Sequence, residues 1–257
     1  MLAARFAALR EARRKALVVY ITAGHPDPER SIDLMRAAES SGADVLEVGV
    51  PFSDPMADGP VIQESSRVAL SHGVTFDRTL AMVAEAGLTI PVVLFSYLNP
   101  VLAAGDDALD RAAAAGAHGV LLTDLPVGAD PPLEARFASG PLAFVRLVAP
   151  TTPAARMAEI ARHGSGFVYL ISRLGVTGAR EDLPPGLAET IERLRKAARL
   201  PICVGFGIAT PAQARAVAAL ADGVVVGSAV VRAAGESVDQ AAALIRSLRT
   251  AIDEATA

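Results

Sequence analysis

The feature that most limits how this chain can fold is a recurrence. Short β-branched or apolar runs return about every 20 to 35 residues, and Ala-rich stretches of helical period separate most of them. Eight such runs can be placed, at residues 17–22, 44–48, 91–96, 118–123, 142–148, 166–171, 201–204 and 222–226. Strands that alternate with helices imply right-handed βαβ crossovers and a parallel sheet, and eight units can close on themselves. The length of 257 residues suits that outcome, because a single (β/α)8 TIM barrel takes roughly 250 residues. No Ser- or Gly-rich linker divides the chain, so residues 1–257 read as one barrel domain. An open doubly wound sheet would show the same alternation, and periodicity alone does not separate the two. The Gly-rich turns after the last two runs favour the barrel, where phosphate commonly sits.

Helix starts agree with this division. Asp27 followed by Pro28 has the form of an N-cap with proline at the first helical position, and Thr152 with Pro153 repeats it. Thr210-Pro211-Ala212-Gln213 has the spacing of a capping box. The segments richest in turn residues, Pro51–Pro60 and Gly175–Pro185, each follow a predicted strand and read as long βα loops.

Composition removes several classes of function. Apolar residues make up 52% of the chain and charged residues 20%, enough to bury a large core. The net charge is −4 and aromatics are 4%, which leaves few stacking platforms beside any basic patch and argues against nucleic acid as a partner. The stretch Leu2–Arg14 mixes Arg with Ala, and no segment is apolar for long enough to span a bilayer, so the reading is of a soluble, cytoplasmic protein without a membrane partner. The single cysteine, Cys203, lies in an apolar run and reads as a buried core thiol.

The most informative stretch runs from Leu46 to Pro60. It places Glu47 at the end of an otherwise apolar strand, where it points into the barrel mouth or sideways towards a helix; burial without a partner would be costly. Asp58 follows 11 residues later on a loop stiffened by Pro51, Pro55 and Pro60, and the fold could return it towards Glu47. Two carboxylates in different environments can divide acid, base and electrostatic roles. An isolated Asp-Gly-Pro would be an ordinary Asx-turn, but the whole stretch asks for more. Gly205-Phe206-Gly207 and Gly227-Ser228-Ala229 follow the last two strands. There backbone N–H groups, with a helix starting near Ser228, could cradle a phosphate. The stretch from Tyr169 to Gly178 runs from a strand into a long loop, and the residues leave open whether that loop is a lid or a plain surface connection.

Absences narrow the chemistry. Lys15 precedes the first strand and Lys196 lies in the Arg-rich helix 188–199, so neither stands at a strand's C-terminal end for Schiff-base chemistry. His25, His72, His118 and His163 are scattered, and no metal site is expected.

With these residues in view, the chain resembles the tryptophan synthase alpha subunits over essentially its whole length. The run Glu-x-Gly-x-Pro-Phe-Ser-Asp-Pro-x-Ala-Asp-Gly-Pro stands uninterrupted from Glu47 to Pro60, and Ser172-Arg173 with Gly175-Val176-Thr177-Gly178 forms a second match. The resemblance implies retro-aldol cleavage of indole-3-glycerol phosphate into indole and glyceraldehyde 3-phosphate. In that reading Glu47 is the general acid and base, and Asp58 binds the indole N–H. Tyr169 lies beside the substrate, Tyr20, Leu125 and Phe206 pack on the indole, and Thr177 closes over Asp58. Gly178, Gly207, Gly227 and Ser228 contact phosphate. Tyr20 stands where the family usually has phenylalanine, and His25 where it often has aspartate facing the partner. The resemblance further implies no cofactor in this subunit, and a beta subunit that carries pyridoxal phosphate, takes up the indole and joins it in an alpha2beta2 tetramer. Two other readings remain to be weighed. Indole-3-glycerol phosphate synthase would be expected to use a site lysine, and a silent barrel kept only to activate a partner would have no use for Glu47 and Asp58.

Overall fold

The computed structural model describes residues 1–172, 185–205 and 207–255. Helix α1 (Leu2–Glu11) leads into β1 (Ala16–Thr22), α2 (Pro28–Ser40), β2 (Val45–Gly49), α3 (Pro60–Ser71), α4 (Phe76–Ala86) and β3 (Val92–Ser96). Then come α5 (Leu98–Ala103), α6 (Ala108–Ala114), β4 (Ala117–Leu122), α7 (Pro131–Ser139), β5 (Ala143–Val148), α8 (Ala154–Arg162) and β6 (Val168–Ile171). The chain ends with α9 (Leu187–Ala197), β7 (Ile202–Gly205), α10 (Pro211–Ala218), β8 (Gly223–Val226), α11 (Ser228–Glu236) and α12 (Val238–Glu254). All eight expected strands form, each end within two residues of its expected place.

The strands make a closed barrel in sequence order, every neighbour parallel. Pairing of Ala16–Val19 with Gly223–Val226 joins the first strand to the last, which rules out the open doubly wound sheet. Alternation along each strand then sorts side chains into two apolar bodies. Leu17, Val19, Ile21, Leu46 and Val48 point outward and pack under the helices in the main core. Val18, Val45, Val93, Leu121, Val145 and Cys203 fill the barrel interior. Helix α1 closes the bottom of the barrel: Leu2, Phe6 and Leu9 join the interior cluster, with the Phe6 and Phe167 rings 5.5 Å apart. The interior is therefore plugged from below by α1.

The capping signals act at two of the three expected helix starts. The Asp27 carboxylate accepts the Arg30 N–H at 2.9 Å, and Thr210 with Gln213 forms the reciprocal capping box. Thr152 departs from expectation. Its hydroxyl accepts the Ala149 N–H at 3.2 Å, closing the turn before the helix, so Pro153 takes the cap position and α8 begins at Ala154. No helix among the described residues is long and apolar enough to cross a membrane.

Candidate active site

Strand parity decides where Glu47 goes. Val45 points into the barrel, so Glu47, two residues on, also points inward, one layer nearer the open end. It is fully buried, and among the described residues neither carboxylate oxygen has a hydrogen-bond partner. An ionised carboxylate so placed loses its hydration with nothing in return, and burial pushes its pKa up to about 8. At neutral pH Glu47 is a carboxylic acid with a proton to give.

Two tyrosines share its cavity. Tyr20 of β1 is in register with Glu47, and Tyr169 of β6 with Cys203. Their rings fit because the neighbouring strands end in glycine: a Cβ on Gly49 would collide with the Tyr20 hydroxyl, and one on Gly205 with that of Tyr169. The Tyr20 ring meets Phe95 edge-on at 5.2 Å, and its hydroxyl lies 3.3 Å from Thr22 Oγ1, which is 2.7 Å from Ser65 Oγ. The extra oxygen of Tyr20 is thus accommodated inside the barrel. With Ile62 and Val225 these rings wall a cleft of about 770 Å³, counted to its open mouth, with Glu47 at its floor.

Asp58 reaches the same cleft from the loop between β2 and α3, whose last residues are Gly59 at the N-cap and Pro60 at the first helical position. Its carboxylate accepts a hydrogen bond from the Tyr97 hydroxyl at 3.1 Å. Partial burial raises its pKa to about 6 while the Tyr97 bond opposes the rise. Between about pH 6 and 8 one carboxyl is therefore protonated and the other ionised.

The same cleft is also lined by the start of a helix. Gly227 caps the nine-residue α11, and the first helical bond runs from Val231 N–H to Gly227 C=O. The amides of Ser228, Ala229 and Val230 precede it and are left for another acceptor. Gly207 stands beside them with φ of +80°, a backbone state that glycine reaches without strain. Arg232, one turn along α11, adds a cation to the same wall.

The structure thus brings Glu47, Asp58, Tyr20, Tyr169, Gly207, Gly227 and Ser228 to one cleft. Leu125 is not part of it: it is buried in the main core outside the barrel. Thr177, Gly178 and Phe206 lie outside the described residues, as does most of the Gly175–Pro185 loop. Neither Lys15 nor Lys196 lines the cleft. Of the histidines, His25 sits in the turn after β1 near Gly235 of α11, also away from it. Sequence reasoning missed Tyr97, Phe95, Ile62 and Arg232. Only the apolar pattern around Phe95 hinted at any of them.

Comparison with known proteins decides what this cleft belongs to. A family model described as tryptophan synthase alpha chain matches residues 6–256. The chain belongs to the tryptophan synthase alpha chain family. Among relatives of that name, one from Laribacter hongkongensis is 48% identical, with 97% of each chain covered. Another, from Desulfatibacillum aliphaticivorans, is 46% identical, covering 98% of this chain and 94% of the relative. A solved tryptophan synthase structure from Mycobacterium tuberculosis superposes with a TM-score of 0.90 at 38% identity, covering 98% of this chain and 97% of that one. The alpha subunit from Legionella pneumophila gives 0.89, also at 38% identity, with 98% of each chain covered. Membership makes the chain an enzyme subunit, a lyase of tryptophan biosynthesis, and the carboxylate-floored cleft is the cavity in which such chemistry can take place.

Proposed function

We propose that this alpha chain cleaves indole-3-glycerol phosphate in the cleft above Glu47, with Glu47 as acid and base and Asp58 as the anchor of the indole nitrogen. The observation that carries the reading is the buried carboxyl of Glu47, which has no hydrogen-bond partner among the described residues and lines the cleft. A group kept at such cost is explained by a substrate that supplies the missing partner.

The reaction breaks the bond between indole C3 and the first carbon of the glycerol chain. The protonated Glu47 gives its proton to C3, which interrupts the aromatic ring and leaves positive charge at the ring nitrogen. The ionised Asp58 accepts the indole N–H and stabilises that charge. The C3–C1 bond then breaks, its electron pair restores the ring, and the C1 hydroxyl becomes the aldehyde as Glu47 takes its proton. Glu47 ends as it began. Tyr20, Phe95 and Ile62 would hold the flat ring, while Gly207, Gly227 and Ser228 hold the phosphate and Arg232 adds its charge. Thr177 and Gly178 would close the site from the loop after β6, with Phe206 on the ring. Leu125, behind the wall, would act through packing.

The product indole would pass to a beta subunit that carries pyridoxal phosphate, in an alpha2beta2 assembly in the cytoplasm. This chain itself would need no cofactor. Support for a partner lies around the Asp58 loop, where Met56 is 87% exposed and, with Phe52, Pro55 and Leu70, lines an apolar groove.

Glu47→Gln keeps shape and removes the transferable proton, and Asp58→Asn keeps shape and removes the charge. Each should lower indole release about 10²- to 10⁴-fold in a folded protein. Turnover near that of the unaltered chain in either variant would remove that residue from the reaction.

A further inference from the structure

We infer that Tyr97 is a positioning residue for the cleavage, tying the loop that carries Asp58 to the barrel frame and orienting that carboxylate towards the ring nitrogen. The inference rests on the reading of Asp58 given above and extends it to a residue that does not line the cleft.

Tyr97 is well placed for this. It follows β3 directly and forms the N-cap position of α5, where the backbone is fixed from both sides. The Ser96 hydroxyl donates to the Tyr97 carbonyl at 2.8 Å, and the next amide, Leu98 N–H, donates to the Asp124 carboxylate at 2.7 Å. The Tyr97 ring packs against Phe52 with centroids 5.1 Å apart, and the residue is only 3% exposed. From this anchored position its hydroxyl makes two bonds to the loop. It accepts the Ala57 N–H at 2.8 Å and donates to Asp58 Oδ2 at 3.1 Å.

That pair of bonds is directional. A phenol oxygen that accepts from Ala57 N–H becomes a better donor to the neighbouring carboxylate, because each bond polarises the next. Burial pushes the phenol pKa up, so the proton stays on Tyr97 and the hydroxyl keeps acting as donor. The loop has little else to hold it. Gln63 of α3 donates to the carbonyls of Asp58 and Pro55, and the other bonds are internal: Ser53 hydroxyl to Asp54 carboxylate, Met56 N–H to Asp54 C=O and Asp58 N–H to Pro55 C=O. Among hydrogen bonds between described residues, Tyr97 supplies the only ones that fix residues 51–58 by a side chain from outside the loop and α3. A carboxylate on a loop without such a tether would have to be ordered anew in each turnover.

The experiment measures kcat and kcat/KM for indole release against pH in the unaltered chain, Tyr97→Phe and Asp58→Asn. The groups that share the cleft with Asp58 are Tyr20 from β1, Glu47 from β2, Tyr169 from β6 and Arg232 from α11. Glu47 titrates on the alkaline side and Asp58 on the acid side, and the substrate phosphate, which itself titrates at about 6, does so alike for every variant, so a shift of the acid limb between variants belongs to Asp58. Tyr97→Phe keeps the ring on Phe52 and removes both bonds. It should lower kcat/KM roughly tenfold to a hundredfold and move the acid limb to higher pH, leaving the alkaline limb in place. The limb is read from relative rates within one preparation, so partial loss of folded protein does not obscure it. An unmoved acid limb, or an unchanged kcat/KM, in Tyr97→Phe while Asp58→Asn is inactive would overturn the assignment to Tyr97 alone. An active Asp58→Asn would instead sink the reading of Asp58 on which it rests.

Discussion

Replacing Glu47 by glutamine should cost the protein its activity and increase its stability, and the gain should grow with pH. Glu47 is an ordinary carboxyl in the unfolded chain, with a pKa of 4.5, and is raised to about 8 when buried in the barrel. Its folded pKa lies above its unfolded one. The stability it supports is therefore fully present below about 4.5 and is lost as pH rises to about 8, because the unfolded chain gives up the proton first. The slope across that window is about 1.4 kcal/mol per pH unit, and the whole window amounts to at most about 5 kcal/mol. Glutamine has no such proton, and every other titrating group is shared by the two proteins. The difference in unfolding free energy between Glu47→Gln and the unaltered chain should then widen by up to several kcal/mol between pH 5 and pH 8.5. It should level off above that. Urea melts of both proteins at four or five pH values give the difference directly. A difference independent of pH would mean that Glu47 titrates normally in the folded chain, and the argument from its burial would fail.

Three further outcomes follow from the same geometry. The pH profile of kcat/KM should be bell-shaped, rising with an apparent pKa of about 6 and falling with one of about 8, as Asp58 must be ionised and Glu47 protonated; a flat profile from pH 5 to 9 would contradict that division. Gly227→Val should raise KM for a phosphate substrate strongly, since an added Cβ already meets Tyr20 Cβ at 3.3 Å and the branches would fill the amide cradle; unchanged substrate affinity in a folded variant would put the phosphate elsewhere. Glu134→Gln should cost about 3–5 kcal/mol in a urea melt by leaving Arg146 buried without its counter-charge, because that pair meets at 2.9 Å with both side chains under 10% exposed; a loss below about 1 kcal/mol would show that the guanidinium is adequately held by Leu125 C=O, His163 C=O and the Phe144 ring.

The barrel was legible because a parallel strand covered by helices on one side and neighbours on the other must be apolar nearly throughout. Such runs stand out against Ala-rich helices whatever the tertiary context. Closure was not legible, since only the pairing of β1 with β8 separates a barrel from an open sheet. Glu47 was legible as a carboxylate inside an apolar run, and Asp58 through the motif around it. Tyr97 was not, because the group it serves lies 39 residues away and the bond depends on β3 standing next to β2 in the barrel. Thr152 shows the limit at short range: a Thr-Pro pair suits a helix cap, yet the same hydroxyl closes a turn back to Ala149. Leu125 shows another limit. A leucine just after a strand can face either the mouth or the outer core, and here it joins the core.

The most direct test of Glu47 as the proton carrier is incubation of the purified chain with indole-3-glycerol phosphate in the absence of any other protein and any added metal or cofactor. Indole and glyceraldehyde 3-phosphate should appear in equal amounts, at a rate well below that of the complex with a cognate beta subunit, and should be lost in Glu47→Gln. A chain that binds the substrate but releases no indole, or whose Glu47→Gln variant releases it as fast, would contradict the claim that this buried carboxyl moves the proton.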